Sequence, residues 1–222
     1  MSITIVIPVL NEQRHIKKIL QSLVGYDVIV VDGGSQDSTI GVVRQFDVTL
    51  VKCTRGRASQ MNAGAELAEG DQLLFLHADT TLPLDWDVVL RTSSRLNEVW
   101  GCFDVSFDDR SIIFNIIAKM MNFRTRLTGV CTGDQGMFIQ RSIFNKVGGF
   151  ADIPLMEDVE LSKRLRNLSR PYCSASKVIT SSRRWRKNGV WRTILLMWWL
   201  RLLYFFGVSP WRLVKLYYPR YR

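Results

Sequence analysis

Short apolar runs alternate with segments of helical spacing through the first hundred residues. Ile3–Pro8 reads as a strand, and Glu12–Leu23 places Ile16, Ile19, Leu20 and Leu23 on one helix face. Val28–Val31 is a second strand, after which Asp37, Ser38 and Thr39 are suited to cap a helix running to Phe46. Val48–Val51 is a short strand, and Ala58–Ala68 is a helix whose small residues Ala58, Ala63, Gly64 and Ala65 permit close packing. Leu73–Leu76 is a strand, and Pro83 opens a helix to about Leu96. Alternation of strand and helix predicts an α/β fold with a parallel, doubly wound sheet.

The pattern loosens afterwards. Trp100–Phe107 alternates and suits an antiparallel strand, and Ser111–Phe123 reads as a helix. Met137–Gln140 is a short strand behind Gly133-Asp134-Gln135-Gly136, and Leu161–Leu168 continues a helix begun near Glu157. From Ile194 to Phe206 the sole charge is Arg201. Thirteen residues at ~1.5 Å each give ~20 Å, short of the ~30 Å hydrocarbon core, so no bilayer crossing is expected. Arg192 and Arg201 fall on roughly opposite sides of this helix at ~100° per residue. It is therefore apolar nearly all round. Two settings stay open: packing within the protein or a homodimer, or shallow burial at a membrane interface with Trp198, Trp199 and Tyr204 as anchors.

Charge sharpens the picture of the tail. Residues 161–222 hold 15 Lys and Arg and no acid, whereas residues 1–160 hold 15 Lys and Arg against 20 Asp and Glu. The chain divides into an α/β domain over 1–182 and a basic, aromatic helical extension over 183–222. Such a tail implies an anionic partner or a solvated basic face. Trp and Leu dominate it, which argues against nucleic acid. Cys53, Cys102, Cys131 and Cys173 form no C-x-x-C pair and read as reduced core thiols of a cytoplasmic protein. The chain enters its first strand directly, so no signal peptide is expected. The expected location is cytoplasmic, with the tail allowing peripheral contact at the inner face of the cell membrane.

The candidate chemistry lies where strands end. Val28–Val31 runs into Asp32-Gly33-Gly34-Ser35, and Leu73–Leu76 into His77-Ala78-Asp79. Ligands of open α/β sheets bind at the carboxyl ends of parallel strands. Two further segments join these, Pro8-Val9-Leu10-Asn11-Glu12 and Glu157-Asp158. Each has a plain structural reading by itself. Asp-Gly-Gly-Ser is a turn, and Glu157-Asp158 is favourable charge in the first turn of a helix.

Together and in this order, they resemble the inverting family 2 glycosyltransferases of the GT-A fold, over nearly the whole chain. Gly56-Arg57-Ala58-Ser59-Gln60-Met61-Asn62, Gly133-Asp134-Gln135, Pro154-Leu155-Met156-Glu157-Asp158 and Thr180-Ser181-Ser182-Arg183-Arg184-Trp185 look like a bacterial subgroup labelled arsenosugar-biosynthesis glycosyltransferases. The resemblance implies a Rossmann-like, mostly parallel sheet and a nucleotide diphosphate sugar donor, first of all a UDP-sugar. It implies a hydroxyl acceptor that the sequence leaves unidentified, and a divalent metal, Mg²⁺ or Mn²⁺. Asp79 then matches the metal ligand, and Asp32 the acid that reads the base. Pro8, Val9, Asn11 and Glu12 line the base and ribose. Arg57 lies near the nucleotide, Asp158 is the general base, and Glu157 supports it. Gly133, Asp134 and Gln135 face acceptor or sugar. Arg183 and Arg184 clamp the pyrophosphate, and Trp185 stacks on a sugar. The family usually carries Asp-x-Asp where this chain has His77-Ala78-Asp79, so the first acid is absent. His77 is either a donor contact or a structural residue.

Rival classes fare worse. A dehydrogenase would need G-x-G-x-x-G after the first strand, and a nucleotidylyltransferase a glycine-rich loop there; Pro8-Val9-Leu10-Asn11-Glu12 has no glycine. A catalytically weak module docking through its tail is the remaining alternative.

Overall fold

The computed structural model describes residues 1–218. Eight strands form a single mixed sheet in the order β3-β2-β1-β4-β7-β6-β8-β5. The first half follows the alternation of the sequence. It comprises β1 (Ile3–Val9), α1 (Ile16–Ser22), β2 (Asp27–Asp32), α2 (Thr39–Val43), β3 (Thr49–Lys52), α3 (Arg57–Leu67) and β4 (Gln72–Phe75). Here β1 pairs in parallel with β2 and β4, and β2 with β3. The carboxyl ends of all four strands therefore point the same way.

The second half turns the sheet over. β5 (Thr80–Thr81), α4 (Trp86–Arg95), β6 (Trp100–Phe107), α5 (Ile112–Thr128), β7 (Met137–Gln140), α6 (Arg141–Lys146), α7 (Glu157–Leu165) and β8 (Tyr172–Thr180) follow in order. β7 is antiparallel to both β4 and β6. The Trp100–Phe107 strand is thus antiparallel on one side, as expected, but parallel to β8 on the other. Three helices close the described chain: α8 (Arg183–Asn188), α9 (Val190–Phe205) and α10 (Pro210–Tyr217).

The central strands are apolar on both faces because helices cover both. Ile5, Ile7, Val30 and Leu74 are buried with α1, α4 and α5 on one side; Val6, Val31, Leu73 and Phe75 are buried with α3, α6 and α7 on the other. Burying each such side chain contributes about 1.5–3 kcal/mol. Gly64 explains how closely α3 lies on the sheet, since a Cβ there would stand 2.4 Å from Val6 Cγ1. At the curved end, the ladder between β6 and β8 is interrupted at Phe103/Asp104. Asn122 of α5 answers the exposed backbone there, accepting from Val105 N (2.8 Å) and donating to Val105 O (3.1 Å).

Several helix boundaries differ from expectation. α1 starts at Ile16 instead of Glu12, because Asn11 adopts a left-handed φ of 56° and residues 11–13 bond to the loop after β2. α2 stops at Val43, and α4 starts at Trp86, three residues after Pro83. α5 runs on to Thr128, where Gly129 ends it in the left-handed conformation. The expected extension from residue 183 packs on the rest of the protein. Trp185 joins the main core edge-on to Phe107, and Leu200 and Leu213 pack with Met156. Residues 219–222 of that extension lie outside the described residues. Among the described residues no helix is long and apolar enough to cross a membrane.

Candidate active site

Two loops meet beyond β1 and β2. Asn11 N donates to Ser35 Oγ (2.9 Å), Asn11 Oδ1 accepts from Gln36 N (2.8 Å), and Glu12 N donates to Thr39 Oγ1 (2.8 Å). Asp32 is buried, and its carboxylate accepts from Gly34 N (3.0 Å) and Ser35 N (3.1 Å). The acid expected to read a base thus also shapes its own turn. Pro8 is half-buried, whereas the Val9 side chain lies in the core and its carbonyl accepts from Gly33 N (3.0 Å). Gln60, buried on α3, donates its amide to Val9 O (2.9 Å) and Val31 O (2.7 Å) and so pins β1 and β2 together. It lies inside the Gly56–Asn62 motif, but a mid-helix glutamine gives no signal of such a role.

Asp79 stands between β4 and β5. The short β5 pairs with the end of β8, Thr80 opposite Thr180. That pairing carries the chain from Thr180 to Arg183, whose guanidinium meets Asp79 Oδ2 at 3.3 Å and Glu12 Oε1 at 2.5 Å. Burial alone would lower the Arg183 pKa; the hydrogen bond to Glu12, with Asp79, raises it. Glu12 Oε2 is buried without a partner among the described residues.

His77 and Ala78 precede Asp79. Ala78 is buried in the core. The His77 ring turns to the loop before β7: Nδ1 lies 3.1 Å from Asp134 Oδ1, and a Cβ on Gly133 would meet Nε2 at 2.5 Å. His77 therefore braces Asp134 within the protein. Asp134 is 47% exposed to solvent, yet crowded by neighbouring chain. Burial would raise its pKa; the His77 hydrogen bond and charge, then Arg57 and Arg184, outweigh this and hold it at about 2. Gln135 instead points inward. Its Oε1 accepts from Thr132 N (3.1 Å) and Thr125 Oγ1 (3.0 Å), so it supports the turn.

The Glu157-Asp158 pair opens α7, after Met156 in a left-handed conformation (φ 68°). Asp158 accepts from Gly133 N (3.0 Å) and Val159 N (2.7 Å) and makes no ion pair among the described residues. Glu157 is 3% exposed and 3.5 Å from Arg57 Nη1. Burial pushes its carboxyl pKa up, Arg57 draws it back and Asp158 raises it further. Arg57, His77, Gly133, Glu157 and Asp158 line one narrow cleft floored by Phe75 and Phe150. The loop before α7 is fixed from beneath. Asn62 of α3 donates to Phe150 O (2.8 Å) and accepts from Phe150 N (2.9 Å), and Arg164 donates to Val147 O and to Gly149 O (2.7 Å).

The end of α10 meets Arg184, which the sequence did not signal. Arg184 donates to Tyr218 Oη (2.6 Å) and lies 4.7 Å from the centre of the Tyr217 ring. Burial pushes the Tyr217 hydroxyl up to about 12. Of the C-terminal triplet, Arg183 meets Asp79 and Glu12, Arg184 meets Tyr217 and Tyr218, and the half-buried Trp185 packs edge-on against Phe107.

Comparison with known proteins supplies the family. Over 170 residues the chain is 26% identical to the PGL/p-HBAD biosynthesis glycosyltransferase of Mycobacterium tuberculosis, covering 66% of this chain and 62% of that protein. S. aureus TarS in complex with UDP-GlcNAc superposes with a TM-score of 0.62 at 16% identity, covering 82% of this chain and 58% of that one. Mannosyltransferase PcManGT from Pyrobaculum calidifontis, in complex with GDP-Man and Mn²⁺, gives 0.59 at 21% identity, covering 80% and 56%. The chain thus spans less than two thirds of the length of each. Both superpositions agree with the expected GT-A architecture. The glycosyl transferase family 2 model matches residues 4–148, and the chain belongs to that family.

Proposed function

We propose that the protein transfers a sugar, with inversion, from a nucleotide diphosphate sugar to an acceptor hydroxyl. A UDP-sugar is the first candidate, supported by the nucleotide sugar seen in TarS; PcManGT holds a GDP-sugar. The observation that carries the reading is one continuous site. Asp79 and Arg183 stand at the end of β4, and His77, two residues earlier, leads into the cleft that holds Asp158. In the reaction the acceptor oxygen attacks the anomeric carbon. The new C–O bond forms as the bond from that carbon to the phosphate oxygen breaks, and the electron pair leaves with the nucleotide diphosphate. Asp158 takes the hydroxyl proton. Arg183 and Arg184 hold phosphate oxygens, Arg57 and Glu157 set the floor beside the base, and Asp32 with residues 8–12 forms the nucleotide edge.

The residues fit a divalent cation. Among the described residues no three His, Cys, Asp or Glu side chains gather as a protein-only site. Asp79 would therefore hold Mg²⁺ or Mn²⁺ together with donor phosphate oxygens and water, the manner usual for Mg²⁺. Glu12 pairs with the same arginine through Oε1, and its Oε2 is without a partner among the described residues. Such a cation, when bound, neutralises charge on the leaving diphosphate. The test is nucleotide release across a panel of UDP-, GDP- and dTDP-sugars. One donor is expected to turn over, activity is expected to fall to background with a chelator, and Mg²⁺ or Mn²⁺ should restore it. Release unaffected by the chelator would remove the metal from the proposal. The motif resemblance to the arsenosugar-biosynthesis subgroup adds no donor or acceptor to this reading.

A membrane contact through the C-terminal helices belongs to the same proposal. It is supported by α9, where Trp191, Trp198 (62% exposed), Trp199 and Phe205 (82% exposed) face outward among basic residues. α5 adds an outward stripe of Ile112, Ile116, Met120, Phe123 and Leu127. The protein is expected to float with phosphatidylglycerol vesicles and less with phosphatidylcholine vesicles. The pair Trp198→Ser and Phe205→Ser should weaken binding about tenfold or more. Absence of flotation, with a dimer in sedimentation, would assign this face to a second copy instead.

A further inference from the structure

Two arginines feel the charge of Asp158 yet make no ion pair among the described residues. Arg124 lies near the end of α5, and Arg201 lies on α9. Three links connect the elements that carry them. Thr125 Oγ1 donates to Gln135 Oε1 (3.0 Å), joining α5 to the loop before β7. Gly133 N donates to Asp158 Oδ2 (3.0 Å), joining that loop to α7. Met156, just before α7, packs with Leu200, the neighbour of Arg201.

The Arg124 side chain is half-buried, and its Nε and Nη2, shielded from solvent, have no hydrogen-bond partner among the described residues. Those two N–H groups form one edge of the guanidinium, the fork that grips two oxygens of a carboxylate or phosphate. Arg201 makes no ion pair or hydrogen bond among the described residues. Each charge feels the site. Burial and then Arg201 push the Arg124 pKa down to about 10, while Asp158 draws it back. Burial also lowers that of Arg201, against Asp158 and Asp134. Two half-buried cations, one with a bare fork, are well placed to receive an oxyanion. The donor phosphates do not meet this need, because Asp79, Arg183 and Arg184 receive them on the proposed reading.

We propose that Arg124 and Arg201 form an oxyanion subsite for the acceptor, whose hydroxyl presented to Asp158 therefore belongs to a molecule that also carries a phosphate or carboxylate group. The inference rests on Asp158 as base, and it narrows the acceptor to an anionic alcohol. A phosphate of this kind comes from a soluble metabolite or from a lipid headgroup.

The test uses the full chain and inorganic phosphate as probe, followed by calorimetry with UDP and Mg²⁺ saturating so that donor positions are filled. UDP binding, measured first, reports on the donor reading separately. Wild type is expected to bind phosphate saturably. Arg124→Gln and Arg201→Gln should weaken it about tenfold or more, with UDP affinity unchanged. Arg124→Met, which keeps the side-chain volume without charge, serves if the glutamine variant folds poorly and should lose phosphate likewise. Competition by phosphatidylcholine vesicles containing phosphatidic acid would support the subsite and assign a lipid source; phosphate binding without that competition would support it and assign a soluble one. No saturable phosphate binding by wild type, or equal affinity in the variants, overturns the proposal.

Discussion

Asp158→Asn is expected to lower turnover about 10²–10⁴-fold while leaving nucleotide affinity unchanged. That is the usual range for loss of a positioned general base. The asparagine oxygen can still accept one of the two backbone N–H groups that Asp158 holds, from Gly133 or from Val159. The amide nitrogen then faces the other donor, at a cost of about 1 kcal/mol, too little to unfold the protein. Stability and activity therefore separate in this variant. Melting temperature, UDP affinity and single-turnover rate measured on one preparation decide the outcome. Undiminished turnover would remove Asp158 from the base role. A parallel loss of UDP affinity would place it on the donor side.

Asp79→Ala is the second large effect, about 10²–10³-fold in kcat, the range for losing one group that stabilises transition-state charge. The comparison with His77→Ala is sharper than either number. His77 bonds to Asp134 and rests on Gly133, so its loss loosens a brace and is expected to cost about tenfold or less. Asp79→Ala should also raise the Mg²⁺ or Mn²⁺ concentration needed for half-maximal rate, and His77→Ala should not. A larger loss in His77→Ala, with a shifted metal requirement, would move the ligand role from Asp79 to His77.

The strands of the nucleotide half were legible because buried parallel strands are continuous apolar runs, and each of these ended in recognisable turn chemistry. β8 was not. Its sequence, Tyr-Cys-Ser-Ala-Ser-Lys-Val-Ile-Thr, is small and polar, and only three of its nine residues are buried. That composition marks a strand near a sheet edge as readily as a loop. Missing β8 hid the reason that Arg183 meets Asp79, although both residues stood out singly. Gln135 and Trp185 were ambiguous in a different way. Their side chains suit ligand contact, but a buried turn and an aromatic core use the same chemistry. The role of α10 was unreadable because it depends on a packing contact, Leu213 with Met156, between distant parts of the chain.

The pairing of β5 with β8 is only two residues long, yet it acts as an address. It states which cation sits over Asp79. A slip of one residue would turn every β8 side chain to the opposite face and bring Ser182 or Arg184, not Arg183, toward Asp79. Positive charge is plentiful in the last third of the chain, so composition alone cannot single out Arg183. Strand register does, and the site's electrostatics are in that sense encoded in a hydrogen-bond ladder.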